Sequence, residues 1–253
     1  MTEVSILLKE VSVQLGSVRA LERISLAVEQ GSRVGLVGPN GAGKTTLANV
    51  LCGYYHPTAG RVTILGTDVT RAHPARIAEL GVARSLQSVG RIQGMSTLQF
   101  LMLGLETRWP VNLTHTVLGT RRGRRAERWA RDLAIELLEE RGLGRYGPVA
   151  LEGCPYGVRK YVDVLRTLIS RSPLVILDEP TSGLSDEERS EMSELLARWM
   201  NESSTTLLLI DHDVGFVRNL CPATIALDAG RVVSSGETHA VLADPAVIRC
   251  FTG

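Results

Sequence analysis

The chain has 253 residues, 44% of them hydrophobic, enough for one α/β domain with a substantial core, or for such a domain carrying an inserted subdomain. Its 28 basic and 27 acidic residues leave a formal charge of +1, so no global field steers it onto nucleic acid. Four scattered cysteines, Cys52, Cys154, Cys221 and Cys250, form no C-x-x-C pair and stand at no metal-ligand spacing, which reads as reduced structural thiols of a cytosolic protein. The first nine residues carry Glu3 and no long apolar run, unlike a signal peptide. No stretch reaches the roughly 18 apolar residues of a membrane span. A membrane role would therefore come through a partner.

The first third reads as strands. Residues 6–13 and 20–29 alternate loosely, with Gly16 and Gly31 marking turns. A short apolar strand at 32–37 runs into a glycine-rich turn and an apolar helix from Lys44 to about Cys52, and a further strand follows at 61–65. From about Ser96 the period changes: 97–105 and 126–141 read as helices joined by a polar linker. Strands return at 175–177 and 205–210, with an amphipathic helix at 187–200 between them. Residues 224–228 and 231–235 form a hairpin around Ala229-Gly230, and the tail reads as weakly helical, with Pro245 near its middle. This order predicts a parallel-sheet α/β core, a second antiparallel sheet from the early hairpins, and a helical insertion.

Two motifs carry chemistry. Gly38-Pro39-Asn40-Gly41-Ala42-Gly43-Lys44-Thr45 fits the P-loop pattern G-x-x-x-x-G-K-[ST] between a predicted strand and helix. Glycines let backbone N–H groups wrap phosphates, and the helix N-terminus adds a favourable dipole. Lys44 is placed to reach the β- and γ-phosphates, the Thr45 hydroxyl to ligate Mg²⁺, and Thr46 to donate to the α-phosphate. The apolar run Leu174-Val175-Ile176-Leu177 ends in Asp178-Glu179, at the strand end where such sheets bind ligands. There Asp178 would hold Mg²⁺, and Glu179 would polarise the attacking water as general base. The cofactors expected are ATP and Mg²⁺.

With both motifs in hand, the chain resembles the nucleotide-binding subunit of an ATP-binding cassette (ABC) transporter, from Leu7 to Phe251. Leu177-Asp178-Glu179-Pro180-Thr181-Ser182-Gly183-Leu184 resembles the family's Walker B running into its D-loop. The resemblance implies a Q-loop glutamine at Gln87, sensing Mg²⁺ and the γ-phosphate, and a switch histidine at His212, on the γ-phosphate and the attacking water. His56, His73, His115 and His239 match nothing, and surface or capping roles suffice for them. ATPase subunits of branched-chain amino acid importers share the P-loop sequence, the insert with Arg121-Arg122-Gly123-Arg124-Arg125 and the ending from Gly236 to Arg249. The resemblance implies one cassette domain: a nucleotide-binding core at about 1–87 and 166–240, a helical subdomain at about 88–165, and a tail at 241–253. It also implies transmembrane permease partners, a second cassette, and a peripheral place on the cytoplasmic face of the inner membrane. A soluble non-transport cassette ATPase and a weakly hydrolytic regulatory cassette are the competing readings.

The chain departs from the family at three places. The signature, usually Leu-Ser-Gly-Gly-Gln, falls on Cys154-Pro155-Tyr156-Gly157-Val158. Proline offers neither the hydroxyl nor an N–H for the γ-phosphate of the opposing subunit's ATP. This favours a heterodimer with a signature-intact cassette over a homodimer. Leu15 stands where an aromatic residue usually stacks on adenine, and Ser185 where the D-loop usually has Asp. The basic run 121–125 reads as a solvated loop before the second helix, or as a contact for lipid headgroups or the permease.

Overall fold

A computed structural model describes residues 3–86, 92–106 and 120–252. The chain divides into two compact units, one of Met1–Arg84, Ser172–Ser182 and Ser190–Gly253, the other of Ser85–Arg171 and Gly183–Arg189.

The first unit holds two sheets. Strands β1 (Val4–Leu15), β2 (Val18–Glu29), β4 (Ala59–Ile64) and β5 (Thr67–Asp68) form an antiparallel sheet in the order β2-β1-β4-β5. Its loose alternation has a cause. The β1–β2 register shifts between Leu8 and Val11, and Glu10 takes a φ of 51°. Such a bulge lets Leu8 and Val11 both face inward although three residues apart, the two residues between them being exposed.

The second sheet runs β10-β9-β3-β8-β7-β6. It comprises β3 (Arg33–Val37), β6 (Val82–Arg84), β7 (Leu174–Asp178), β8 (Thr206–Ile210), β9 (Ala223–Asp228) and β10 (Arg231–Glu237). All neighbours are parallel except β9 and β10. Every residue of β7 and β8 is buried, which is why these strands read as unbroken apolar runs rather than alternations. Helix α1 (Lys44–Leu51) leaves the sheet directly after β3. The parallel strands thus deliver the turn at 38–43 and the pair Asp178-Glu179 to the same, carboxyl, edge.

Four elements of this unit escaped the sequence reading: β5, α2 (Pro74–Glu79), β6 and α7 (Val214–Leu220). All are short, but two carry capping chemistry. The His73 imidazole accepts from Ala75 N–H ahead of Pro74, and Asp213 accepts from Phe216 N–H at 3.0 Å. In the tail, Pro245 does not interrupt a weak helix. It opens α9 (Pro245–Thr252) after α8 (Thr238–Ala243) has ended, because proline lacks only an N–H that a first helical position would leave unbonded.

The second unit is helical. In α3 (Thr97–Leu103) Ser96 and Gln99 close a capping box. Helix α4 spans Arg121–Glu140, a correction to the expected start at residue 126. Thr120 caps it by accepting from Gly123 N–H, and small residues Gly123, Ala130 and Ala134 are buried along it. The basic run is therefore helix, not loop. Helix α5 (Tyr156–Ile169) follows, and Arg166 on it lies 5.2 Å over the Phe100 ring of α3. Helix α6 (Asp186–Glu202) begins in this unit and continues in the first. Among the described residues no helix is long and apolar enough to cross a membrane.

Gly35 sets a close packing distance within the first unit. A Cβ there would overlap the Val217 side chain of α7 and stand 3.0 Å from Thr224 Oγ1. Gly35→Ala is expected to cost about 1–3 kcal/mol by overpacking, read as a lower urea midpoint at unchanged slope.

Candidate functional site

Residues 40–46, Glu179, Val18, Arg19, Ala20, Ala229 and Gly230 line an open cleft of about 400 Å³ in the first unit. The turn at its base passes where only glycine fits. A Cβ at Gly38 (φ 153°) would overlap the Leu227 carbonyl. One at Gly43 (φ 104°) would come within 2.8 Å of the Ala20 carbonyl. The β9–β10 turn braces the loop, with Gly230 N–H donating to Ala42 O at 3.0 Å and Gly230 O accepting from Glu22 N–H at 2.8 Å.

Lys44 is 6% exposed and donates to the carbonyls of Gly38 at 2.7 Å and Pro39 at 2.9 Å. Burial draws its ammonium below the ordinary lysine range, and the carboxylates of Glu179, Asp178 and Asp211 oppose the shift. Gly38 and Pro39 therefore act through their carbonyls under the loop, while Asn40, Gly41, Ala42, Gly43, Lys44, Thr45 and Thr46 face the cleft.

Glu179 follows β7 in the left-handed region, at φ 50°, uncommon for a non-glycine residue and a marker of functional sites. Its N–H donates to Ile210 O at 2.7 Å, which fixes its departure from the sheet. Asp178 ends β7 and is 1% exposed. Arg84, at the end of β6, bonds its Oδ2 at 2.6 Å and also donates to Asn49 Oδ1 of α1 at 2.7 Å. One guanidinium thus fastens β6, β7 and α1 together. Sequence reasoning missed Arg84. The available signal was a charge at the end of the otherwise apolar triplet Val82-Ala83-Arg84.

Asp211, also missed, is fully buried. It accepts from Thr181 Oγ1 at 2.6 Å and from Asp213 N–H at 2.9 Å, joining the segment after β7 to that after β8. His212 sits beside it, Nδ1 3.6 Å from Asp211 Oδ1, with its side chain 54% exposed. His212 is not among the residues lining the cleft. Nor is Leu15, while Val18, Arg19 and Ala20 are. The hairpin reverses the chain at Gly16 (φ 60°), so the start of β2 rather than the end of β1 meets the glycine-rich turn. Gln87 lies outside the described residues.

The oxygen donors suit a phosphate-bound Mg²⁺. The Thr45 hydroxyl and the Asp178 carboxylate are hard ligands, and such an ion takes one or two protein donors with the rest from phosphates and water.

The signature segment lies in the second unit. Pro155 precedes α5 at φ −51° and ψ 149° and supplies no side-chain cap. Tyr156, 44% exposed, and then Gly157 and Val158 form the first turn. A Cβ at Gly157 would overlap the Glu188 carboxylate. Glu188 in turn accepts from Ser185 N–H at 2.9 Å, while Ser185 Oγ accepts from Glu188 N–H at 3.3 Å. Serine at 185 is thus half of a capping box opening α6.

A strand, a glycine-rich turn whose lysine and hydroxyls face a cleft, and an acidic neighbouring strand end define a nucleotide-binding ATPase core. The sequence model of the ABC transporter family matches residues 21–182. LivG of Salmonella typhimurium, a high-affinity branched-chain amino acid transport ATP-binding protein, is 31% identical over 95% of this chain and 94% of its own length. BraF of Pseudomonas aeruginosa, of the same description, is 29% identical over 96% and 95%. Among solved structures, a nucleotide-free ATP-binding cassette from an ABC transporter superposes with a TM-score of 0.78 at 22% identity, over 99% of both chains. A dimeric cassette bound to ADP and phosphate does so at 0.78 and 22%, over 92% of this chain and 98% of that one. The chain belongs to the ABC transporter family, as one of its ATP-binding subunits, ATPases coupled to transport.

Removing Arg84 takes a charged partner from a buried carboxylate. Arg84→Met is expected to destabilise the protein by about 3–5 kcal/mol, and the double variant with Asp178→Asn by clearly less than the sum. Urea unfolding of the four proteins measures both.

Proposed function

We propose that this chain is the ATP-hydrolysing motor of an importer for branched-chain amino acids or similar small polar solutes. The observation that carries the hydrolytic part is the convergence of Lys44, Thr45 and Glu179 on one cleft. The solute class rests on the printed function of the LivG and BraF relatives.

The turn at 38–43 cradles the phosphates with its backbone N–H groups, and the N-terminus of α1 adds its dipole. Lys44 neutralises the β- and γ-phosphates. Thr45, Asp178 and Gln87 would hold Mg²⁺, which would supply charge neutralisation at the phosphates. Glu179 takes the proton of the attacking water. The family resemblance assigns the γ-phosphate contact to His212, which Asp211 positions beside the lining residues, and the link to the permease to Gln87. Glu179 leaves the strand through a left-handed backbone and lines the cleft. That placement favours a hydrolytic over a merely regulatory subunit.

Two cassettes close over two ATPs, each P-loop facing the other chain's signature. This chain keeps the hydrolytic residues but offers Pro155 and, against Gly157, the Glu188 carboxylate to the opposing nucleotide. The partner favoured is a second cassette with an intact signature, both docked on permease subunits at the inner face of the membrane. Loss of one hydrogen bond to a charged phosphate is worth about 1.5–3 kcal/mol, or roughly 10- to 150-fold.

Glu179→Gln is expected to retain ATP binding and lose at least about 100-fold in steady-state hydrolysis. Undiminished turnover would remove Glu179 as the base. Pro155→Ser is expected to raise turnover of the heteromeric complex by restoring the impaired site. Unchanged turnover there would end the unequal-site reading.

A further inference from the structure

The basic run of the sequence becomes an ordered surface once α4 is seen to start at Arg121. At 100° per residue, Arg121, Arg124, Arg125, Arg128 and Arg131 fall on one face, and all five are exposed. Gly123, Ala130 and Ala134, which are buried, lie on the opposite side. Between residues 121 and 132 six arginines meet two acids, Glu127 and Asp132. The first turn contains no acidic residue, so its arginines add to the positive end of the helix dipole instead of offsetting it. A chain of net charge +1 thus concentrates its positive potential on one helix end. Trp129, 41% exposed, flanks this face with the amphipathic ring found at headgroup level.

We propose that the arginine face of α4 binds the anionic phospholipid headgroups of a bilayer. Charge complementarity selects the ligand: clusters of four to eight basic residues gain affinity additively at such a surface. The helix offers one indole and no further aromatic residue from 121 to 140, so it lacks the stacking platform that single-stranded nucleic acid requires. The surface belongs to a transport subunit, which works beside a membrane. The proposal rests on that membership but not on which solute is carried.

Co-sedimentation of the purified full chain with vesicles tests this, using phosphatidylcholine alone or mixed with phosphatidylglycerol. Binding is expected only to the anionic vesicles and should weaken with added salt. The variant R121Q/R124Q/R125Q/R128Q should lose at least about tenfold in partitioning. Its helix content and ATPase activity should be unchanged, since glutamine keeps helix propensity. Replacing the same four arginines by lysine should preserve binding, which keeps the test intact if the glutamine variant misfolds. Equal binding to both vesicle types would overturn the proposal. So would an equal loss in R71Q/R76Q/R198Q/R218Q, which removes exposed arginines elsewhere. Displacement of the vesicles by a single-stranded oligonucleotide at matched phosphate concentration would reassign the face to nucleic acid.

Discussion

The close passage of the glycine-rich turn between two other chain segments governs the architecture of the site. The Leu227 carbonyl presses on Gly38 and the Ala20 carbonyl on Gly43, while Gly230 bonds both Ala42 and Glu22. These contacts tie the antiparallel sheet, through β2, and the β9–β10 hairpin to the same six residues. A phosphate cradle made of backbone N–H groups works only if the backbone is held, and here it is held from both sides. The glycines are thus needed twice, for their left-handed φ values and for the space a side chain would fill.

Electrostatics at the strand ends follows from that placement. Lys44 is buried among Glu179, Asp178 and Asp211, and Asp178 is itself fastened by Arg84. The same guanidinium reaches Asn49 of α1, so the acidic end of β7 and the helix after the glycine-rich turn are held by one side chain. Asp211 does the corresponding work one strand over, locking Thr181 and the turn that carries His212. The reactive groups stand on short segments, and buried acids set the positions of those segments.

The second unit shows how two substitutions that look like decay fit local chemistry. Proline before α5 removes a side-chain cap, yet its φ of −51° and ψ of 149° are ordinary for the residue before a helix. Serine at 185 gives up a carboxylate and gains a capping box with Glu188. The same Glu188 lies against Gly157, two residues after Pro155 in the signature segment. In the sequence Pro155 and Ser185 are thirty residues apart.

The sequence by itself determined the chemistry-bearing motifs, the sheet core and the helical insertion. Its P-loop, its Asp178-Glu179 strand end and its apolar runs are local patterns that physics reads one segment at a time. Residue 121 as the start of α4 was hidden because arginines carry no apolar period, and Thr120 was the cue. Only the tertiary structure decided what depends on register and approach. It brought Arg84 to Asp178 across 94 positions and put Val18, Arg19 and Ala20 rather than Leu15 at the cleft. It also set Glu188 against Gly157 and aligned five arginines on one helix face. Such pairings are fixed by how strands and helices stack, and stacking is a property of the whole chain rather than of any segment in it.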